Sequence, residues 1–433
     1  MAKKNVFIIG LDEFNYKLLQ HTPQAAYCDF HAALDIKDIR NVDDYDMQHL
    51  IDKAIKNMEN FDGSIDAIAS YYDFPGTVMI PILAKQFNLP GPSLEAIMKS
   101  ENKYWSRLEQ QKVILGHIPR FQAFDPFQEN VFDTIDILTP YWIKPIKSFR
   151  SFLSYQINGE GQFYEAMEEV KKHIDFIGKP FKQLMNTYHM PQEIAEMPES
   201  CIAESPIGGA QCTLEGYVYN GRVTVYGVVD SIREPDSSSF ARYEYPSSLP
   251  LEIQHRMIDV ARTAIQQIEL DNSPFNIEFF YNQSYDEVFL LEINPRISQA
   301  HTDIFEKVHG TSHHQIMLDL ALGQKPKVME KNGKYNLAGH FMVRTFENGV
   351  VKKVPSDDEI KALKKEQPDT RVKIPVHPGM PLSDLQGQDS YSYEIANLFI
   401  GGRDQADIIE QYDHCLDMLT FEIEPEEMEG FYQ

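Results

Sequence analysis

Two segments rich in aromatic and β-branched residues, separated by a short polar stretch, are the feature of this chain that most limits its fold. The first segment covers residues 274–280, the second covers residues 288–296, and the polar stretch between them covers residues 282–287. This pattern predicts two antiparallel strands joined by a turn. If the turn is centred near Tyr285, Glu278 on the first strand lies opposite Glu292 on the second.

The two glutamates share their predicted face of the hairpin with other polar side chains. Side chains two residues apart on a strand point to the same face, so Asn294 lies beside Glu292, and Arg296 follows on the same face. Carboxylate and amide oxygens are ligands that Mg2+ prefers. The alternative is a solvated hairpin face with ordinary charges. The neighbouring Phe, Ile and Leu residues make unpaired charges costly there, so the sequence predicts an Mg2+ site, which Mn2+ could also occupy, formed by Glu278, Glu292 and Asn294.

These residues carry a resemblance to a known family. Glu278 together with residues 292–296 resembles the metal-binding signature of the ATP-grasp superfamily, whose members activate a carboxylate as an acyl phosphate. Three other stretches occur in the order that this family requires. They are similar to its first nucleotide lysine (100–103), its second lysine strand (141–145) and its adenine-contacting strand (203–209, leading to 214–216). The resemblance extends over roughly residues 1–325 and is weaker beyond them.

The resemblance implies a set of ATP-binding residues. Lys103 and Lys144 would place point charges on the phosphates. Glu204 would accept a hydrogen bond from the adenine amino group, and the backbone near Ile207 would pair with the ring. Gln211 stands where a ribose-binding glutamate is common, and a neutral amide can still accept one hydroxyl hydrogen bond.

One stretch departs from the family pattern. Many relatives follow the second lysine with a glycine-rich loop over the phosphates, whereas residues 146–152 of this chain contain no glycine. Lys147, Arg150 and two serines in this stretch would have to replace backbone donors.

The expected fold class is α/β (α+β), with an ATP-grasp fold in three parts. Apolar stretches at 5–10 and 65–70 predict strands, and stretches at 14–20 and 78–88 predict helices, which together suggest a doubly wound unit. The predicted domains are an N-terminal preATP-grasp α/β domain (1–98), a two-lobed ATP-grasp domain (99–325, with a lid at about 141–212) and a small C-terminal α+β domain (326–433).

Three finer predictions concern the lid and the C-terminal part. They are a lid helix over 163–177, a hairpin formed by 340–344 and 349–351, and a helix that opens at 403–407.

Composition limits the partners of the chain. A formal net charge of −25 argues against a general nucleic-acid or anionic-membrane surface, because such partners would be repelled. No segment approaches the roughly 18 apolar residues that a membrane helix needs. The four cysteines are scattered without zinc or redox spacing, and no signal peptide is evident at the start. These features favour a cytoplasmic protein without nucleic-acid or membrane partners, and a homodimer is compatible with them.

The resemblance implies phosphoryl transfer from ATP to a substrate carboxylate, followed by attack of a nucleophile, with Arg296 stabilising the transferring group. A structural role for Arg296, pairing with a strand glutamate, is the competing interpretation. Biotin carboxylase has a glutamine and a glutamate that hold and deprotonate bicarbonate where this chain has Ser298 and Ala300. Alanine cannot act as a base, so a carboxylate–amine ligase that releases ADP and phosphate is the leading hypothesis.

The substrates of such a ligase would be a small carboxylate and an amine. Arg233 and Arg242 could clamp a substrate carboxylate, and His301 follows the metal motif closely enough to reach a substrate. Two alternatives stay open, a biotin carboxylase-like carboxylating enzyme and a catalytically reduced module that binds nucleotide to regulate a partner.

Overall fold

The structure is a computed structural model that describes residues 3–40, 42, 44–149, 152–235, 237, 239–327, 329–385, 388 and 392–425. Arg150, a predicted phosphate-loop cation, lies outside the described residues. The described residues divide into two compact units. The first contains residues up to 228 together with 248–299 and 312–329, and the second contains 229–247, 300–311 and the residues from 330 onward.

The helices and strands of the first half of the chain, in order, are β1 (Lys4–Leu11), α1 (Glu13–Gln20), β2 (Cys28–Asp35), α2 (Ile36–Ile39), α3 (Met47–Glu59), β3 (Ala67–Ala69), α4 (Gly76–Gln86), α5 (Leu94–Glu101), α6 (Lys103–Ile114), β4 (Phe121–Phe124), β5 (Tyr141–Pro145), β6 (Tyr155–Ile157), α7 (Glu160–His173), α8 (Asp175–Thr187), α9 (Gln192–Ala195) and β7 (Cys201–Glu204).

Those of the second half are β8 (Ala210–Tyr219), β9 (Arg222–Arg233), β10 (Phe240–Tyr245), α10 (Leu251–Gln267), β11 (Ser273–Asn282), β12 (Glu287–Asn294), α11 (Thr302–His309), α12 (His314–Ala321), β13 (Leu337–Thr345), β14 (Gly349–Lys353), α13 (Asp357–Glu366), β15 (Arg371–Lys373), β16 (Tyr393–Gly402), α14 (Gln405–Met418) and β17 (Glu422–Pro425). Within the described ranges, no helix combines the length and the apolar character needed to cross a membrane.

The N-terminal part of the first unit is a parallel sheet covered on both faces. Strand β1 lies between β2 and β3 and pairs with each of them in parallel. Phe7 and Ile9 of β1 belong to one hydrophobic cluster, whereas Val6 and Ile8 belong to another. Because side chains alternate between the faces of a strand, both faces of this sheet are buried. The predicted alternation of strands and helices in this region is confirmed.

A four-stranded antiparallel sheet, here called the lid sheet, joins the three strands of the predicted lid (about 141–212) to β4, in the order β4-β7-β5-β6. The helix predicted over 163–177 is confirmed as α7 up to His173, and a second helix, α8, begins at Asp175. The apolar residues of α7 pack in the cluster of the lid sheet, and those of α8 pack in the larger cluster of the first unit. The break lets each helix bury its apolar side in a different core.

The predicted hairpin is formed by β11 and β12, and β11 also pairs with β8. Glu278 pairs with Glu292, as the sequence predicted. The register shifts between Glu278 and Phe279, since Phe279 pairs with Leu290 and leaves Leu291 as an extra residue. This β-bulge separates the polar end of the hairpin from its apolar half.

In the second unit, the last part of β9 is followed in the sheet by β10, β13, β16 and β15. The hairpin predicted from 340–344 and 349–351 is wrong, because β13 pairs with β10 and β16 while β14 pairs with β17. Strand β13 is largely buried, as expected between two neighbours, whereas Lys352 and Lys353 of β14 are exposed. The helix predicted to open at 403–407 is confirmed, because α14 begins after Asp404, whose side chain accepts from the Asp407 N–H. The predicted domain boundaries at 98 and 325 stay predictions.

Candidate active site

The polar end of the hairpin brings the predicted metal ligands together. Glu278 and Glu292 are both half-buried, and Asn294 pairs with Asn276 of β11. The Asn294 side-chain N–H donates to Asn276 Oδ1 at 3.0 Å. This bond leaves Asn294 Oδ1 free of Asn276, and the Arg296 guanidinium approaches that oxygen at 3.5 Å.

Lys103 lies at the start of α6, where it is buried and bonded to Glu292. Asn102 caps this helix by accepting from the Trp105 N–H at 2.9 Å. The Lys103 ammonium donates to Glu292 Oε1 and, at 3.0 Å, to the carbonyl of Ser148. Burial acts to lower the pKa of Lys103. The charge of Glu292 and the hydrogen bond to it raise this pKa by more, so the pKa of Lys103 is raised overall. The pKa of Glu292 is lowered, since Lys103 and Lys144 outweigh its burial. Both groups are therefore charged at neutral pH.

A second buried charge cluster joins β5, β7 and α6. Glu204 accepts from Lys144 Nζ at 2.6 Å with one oxygen and from Arg107 Nε at 2.6 Å with the other. Burial acts to raise the pKa of Glu204, yet Arg107 and Lys144 lower it to about 2. Arg107 also donates to the backbone carbonyls of Leu290 and Leu291. This arginine therefore fixes Glu204 relative to the bulge of β12.

The other two residues predicted to bind nucleotide lie on or before β8. Gln211 donates to Glu278 Oε2 at 2.9 Å, so the position expected to contact ribose is bonded to the metal-ligand candidate. Ile207 is half-buried in the segment between β7 and β8. That segment ends at Gly209, which has φ +115°, and a Cβ there would lie 2.1 Å from the Tyr281 carbonyl oxygen. Only glycine permits this close approach to β11.

Arg296 is held by Asp73, which follows β3 at the carboxyl end of the parallel sheet. The Arg296 Nε donates to Asp73 Oδ2 at 2.9 Å, and its terminal N–H donates to the same oxygen at 2.5 Å. The other oxygen of Asp73 accepts from the Phe74 N–H at 2.7 Å. Although burial acts to raise the pKa of Asp73, Arg296 and Lys147 hold it well below its usual range. Asp73 is therefore ionised at neutral pH, beside the predicted catalytic arginine.

Lys147, in the glycine-free stretch after β5, is buried and does not face solvent. Its ammonium is bonded to Glu101 and lies 5.1 Å and 5.4 Å from the ring centroids of Phe74 and Phe181. A buried pair with aromatic rings on the cation fixes this residue in place. Lys147 therefore anchors the stretch after β5 to the end of α5.

The three predicted substrate residues lie in the second unit. Arg242 Nε donates to Glu244 Oε1 at 2.6 Å, so this guanidinium already holds a carboxylate of the chain. The Arg233 guanidinium lies 4.6 Å from the ring centroid of Phe240. His301 is buried, with its ring edge against Tyr243 at 4.9 Å. The substrate roles of these residues stay predictions.

The predictions from sequence did not include Asp73, Arg107 and Asn276 as site residues, although the sequence position of each could have indicated it. Arg107 follows Lys103 by four residues and shares its helix face. Asn276 precedes Glu278 by two residues on the same strand face. Asp73 is a polar residue four positions beyond the end of a buried parallel strand, in the region where ligand-binding residues of α/β sheets lie.

Part of the chain matches a known protein family. Residues 137–303 match the family model described as an ATP-grasp domain. This chain contains an ATP-grasp domain.

Solved structures of the ATP-grasp fold cover nearly the whole chain. The L-amino acid ligase from Bacillus licheniformis superposes with a TM-score of 0.71 at 16% identity, covering 98% of this chain and 100% of that one. Biotin carboxylase from Campylobacter jejuni gives a TM-score of 0.62 at 15% identity, covering 97% of this chain and 92% of that one. At these identities the similarity establishes the ATP-grasp fold.

Two curated proteins are related in sequence. The C-terminal section of the carbamoyl phosphate synthase large chain of Methanopyrus kandleri is 28% identical over 130 residues, which are 29% of this chain and 24% of that protein. The uncharacterized protein y4rH of Sinorhizobium fredii is 25% identical over 278 residues, which are 63% of this chain and 51% of that protein. The matches thus span about half the length of these relatives or less.

Proposed function

We propose that this protein is an ATP-dependent carboxylate–amine ligase, which joins a small carboxylate to an amine through an acyl phosphate and releases ADP and phosphate. The observation that carries the proposal is Arg296, whose guanidinium is held by Asp73 and lies 3.5 Å from Asn294 Oδ1, shortly after the strand on which Glu292 pairs with Glu278. An oriented arginine beside an oxygen-rich, half-buried patch suits transfer of a phosphoryl group.

The ATP-binding part of the proposal rests on the buried lysines. Lys103 is charged despite its burial, and Lys144 lies on β5 with its ammonium on Glu204. Two ammonium groups in low-dielectric surroundings would bind phosphate oxygens more strongly than surface lysines do. Glu204 has both oxygens bonded to cations, so a contact to the adenine amino group would use a remaining lone pair.

The donor set at the hairpin fits Mg2+. Two carboxylates and an amide oxygen are hard ligands, and Mg2+ commonly takes one or two carboxylates and completes its shell with water and substrate phosphates. Within the described residues, no group of three or more His, Cys, Asp or Glu side chains is arranged to hold a metal. Glu278, Glu292 and Asn294 would hold the ion, which would neutralise charge on the phosphates.

Carboxylation of the biotin carboxylase type is the less favoured alternative. Ala300 stands where that enzyme has its base for bicarbonate. The Ser298 N–H and C=O, next to the arginine, are both bonded to buried side chains of this chain. A bicarbonate ion would therefore find neither the base nor these backbone groups.

The test combines product analysis with an isotope. With ATP, Mg2+ and the right acid and amine, the protein should form an amide with ADP and phosphate, and oxygen-18 in the acid carboxylate should appear in the phosphate. Arg296→Ala should abolish the reaction, whereas Arg256→Ala, which removes an arginine paired with the exposed Asp286, should not. Release of AMP and pyrophosphate, or stimulation of ATP cleavage by bicarbonate alone, would contradict the proposal.

A further inference from the structure

Three side chains of the first unit and one backbone segment close a ring of polar contacts directly after Arg296. Glu215 of β8 accepts from the Ser298 N–H through Oε1 at 3.3 Å, and its Oε2 lies 3.4 Å from the Tyr226 hydroxyl. The same hydroxyl lies 3.1 Å from Nδ1 of His313, and Nε2 of His313 lies 3.0 Å from the Ser298 carbonyl oxygen. The ring therefore begins and ends at Ser298.

If His313 is neutral, the acceptors fix the positions of the hydrogens. A carbonyl oxygen can only accept, so His313 Nε2 must carry a hydrogen toward Ser298. In a neutral imidazole, Nδ1 is then an acceptor, and the Tyr226 hydroxyl donates its single hydrogen to it. The remaining contact, between Tyr226 and Glu215 Oε2, then needs a hydrogen from the carboxyl group. A neutral Glu215 beside a neutral His313 therefore satisfies all four contacts. A Glu215 carboxylate that accepts from Tyr226, beside a protonated His313 whose Nδ1 lies 3.7 Å from Glu215 Oε2, would also satisfy them, so the burial of Glu215 decides between the two.

Burial supports the neutral carboxyl group. Glu215 and His313 are both fully buried, and each is 0% exposed. Burial raises the pKa of Glu215 well above its ordinary value and outweighs the opposing effect of Arg296. A carboxyl group kept neutral by an apolar site can donate a hydrogen bond at neutral pH.

The ring acts on the segment that contains Arg296. Asn276 Nδ2 donates to the Arg296 carbonyl at 3.2 Å, and the Arg296 N–H donates to the Asn294 carbonyl at 2.9 Å. Ile297 is fully buried, and both backbone groups of Ser298 belong to the ring. The backbone on the carboxyl side of Arg296 is therefore fixed by bonds from β8 and from the start of α12.

We propose that neutral Glu215, Tyr226 and His313 are positioning residues that hold the Arg296–Ser298 segment through this ring, so that the guanidinium keeps its place during phosphoryl transfer. This inference rests on the proposed function. None of the three residues touches the reacting atoms in the proposal. They act through the backbone of Ser298, and a shift of about 1 Å at a catalytic group can reduce the rate roughly a hundredfold.

The experiment uses variants that change single ring atoms. Tyr226→Phe removes one hydroxyl, and Glu215→Gln keeps the shape while its amide supplies a donor and an acceptor, as the neutral carboxyl group does. Glu215→Leu removes both the hydrogen-bond donor and the acceptor at this position. Tyr141→Phe is the matched control, because the buried Tyr141 hydroxyl has no hydrogen-bond partner among the described residues. Hydrogen exchange of the Ser298 amide and steady-state kinetics are measured for each variant.

We expect Tyr226→Phe and Glu215→Leu to speed exchange at Ser298 about fivefold or more, the effect of losing a ~1 kcal/mol hydrogen bond. They should lower kcat about 10- to 100-fold with KM for ATP nearly unchanged. Glu215→Gln should stay near the parent protein in both measurements.

If Tyr226→Phe matches Tyr141→Phe in both exchange and kcat, or if Glu215→Gln is as damaged as Glu215→Leu, the neutral ring is wrong. The exchange measurement needs no turnover. A parent protein without ligase activity would therefore count against the proposed function, and exchange at Ser298 would still decide the ring.

Discussion

Replacing Asp73 by Asn tests whether this residue orients Arg296. Asp73 uses one oxygen for the Phe74 N–H and the other for two N–H groups of Arg296. Asparagine has a single carbonyl oxygen, so it cannot serve both partners, and its amide N–H groups would face another donor. The side chains of Asp73 and Arg296 are 14% and 18% exposed, so the arginine would lose its counter-ion in a mostly buried place.

The expected magnitudes follow from that burial. Breaking a buried ion pair by removing one partner costs about 3–5 kcal/mol, and the partial exposure of this pair lowers our expectation to about 2–3 kcal/mol. The arginine keeps its charge but loses two oriented bonds. We therefore expect kcat to fall about a hundredfold while KM for ATP changes little.

The assay combines thermal unfolding of Asp73→Asn, Arg296→Ala and the double variant with kinetics of ADP release. Asp259→Asn is the control, because Asp259 pairs with Arg262 on the surface and is 73% exposed. Such a pair contributes little to stability. Additive stability effects of the Asp73 and Arg296 changes, or a kcat of Asp73→Asn within about threefold of the parent, a difference below ~1 kcal/mol, would refute this role for Asp73.

Three further predictions concern the same site. Glu278→Gln and Glu292→Gln should each abolish turnover in an ADP-release assay with the fold intact, and activity within about tenfold of the parent would exclude them as metal ligands. Calorimetry should show weaker ATP binding for Lys144→Ala and nearly normal binding for Arg296→Ala, and the reverse pattern would exchange their roles. The pKa of Glu204 is lowered from 4.5 to about 2 by Arg107 and Lys144 against the effect of burial. Its stabilisation, about 3 kcal/mol, should therefore be complete above pH ~4.5 and lost as the pH falls toward 2, and Glu204→Gln should unfold with less pH dependence over that range.

The hairpin was predictable because its information is local. A strand has a side-chain period of two, so a turn position fixes which residues face each other, and Glu278 and Glu292 are paired as expected. The same register places Asn276 opposite Asn294. That residue was missed because the metal signature begins at Glu278, although the spacing alone would have included it.

Contacts between residues far apart in the chain could not be predicted from local sequence patterns. Asp73 and Arg296 are 223 residues apart in the chain, and Arg107 is 97 residues from Glu204. No periodicity links such pairs, since they meet only when separate elements pack. The prediction of a C-terminal hairpin from 340–344 and 349–351 was wrong for a related reason. Two neighbouring strand-like stretches favour a hairpin, but β13 finds its partners in β10 and β16 instead.

The pairing of each candidate ATP-binding cation with a carboxylate of the chain bears on how ligands would bind. Lys103 is bonded to Glu292, so a phosphate that approached this lysine alone would compete with a buried carboxylate. An ion held by Glu292 would neutralise that carboxylate and release the ammonium for phosphate, so the metal and the nucleotide should bind cooperatively. Glu292→Gln removes both the competing charge and a metal ligand. Measuring ATP binding with and without Mg2+ therefore separates the two effects. On this reasoning the variant should bind ATP more tightly than the parent protein in the presence of EDTA and should gain little from added Mg2+. Weaker binding of ATP by this variant in EDTA would mean that Glu292 orients Lys103 for the phosphate and does not compete with it.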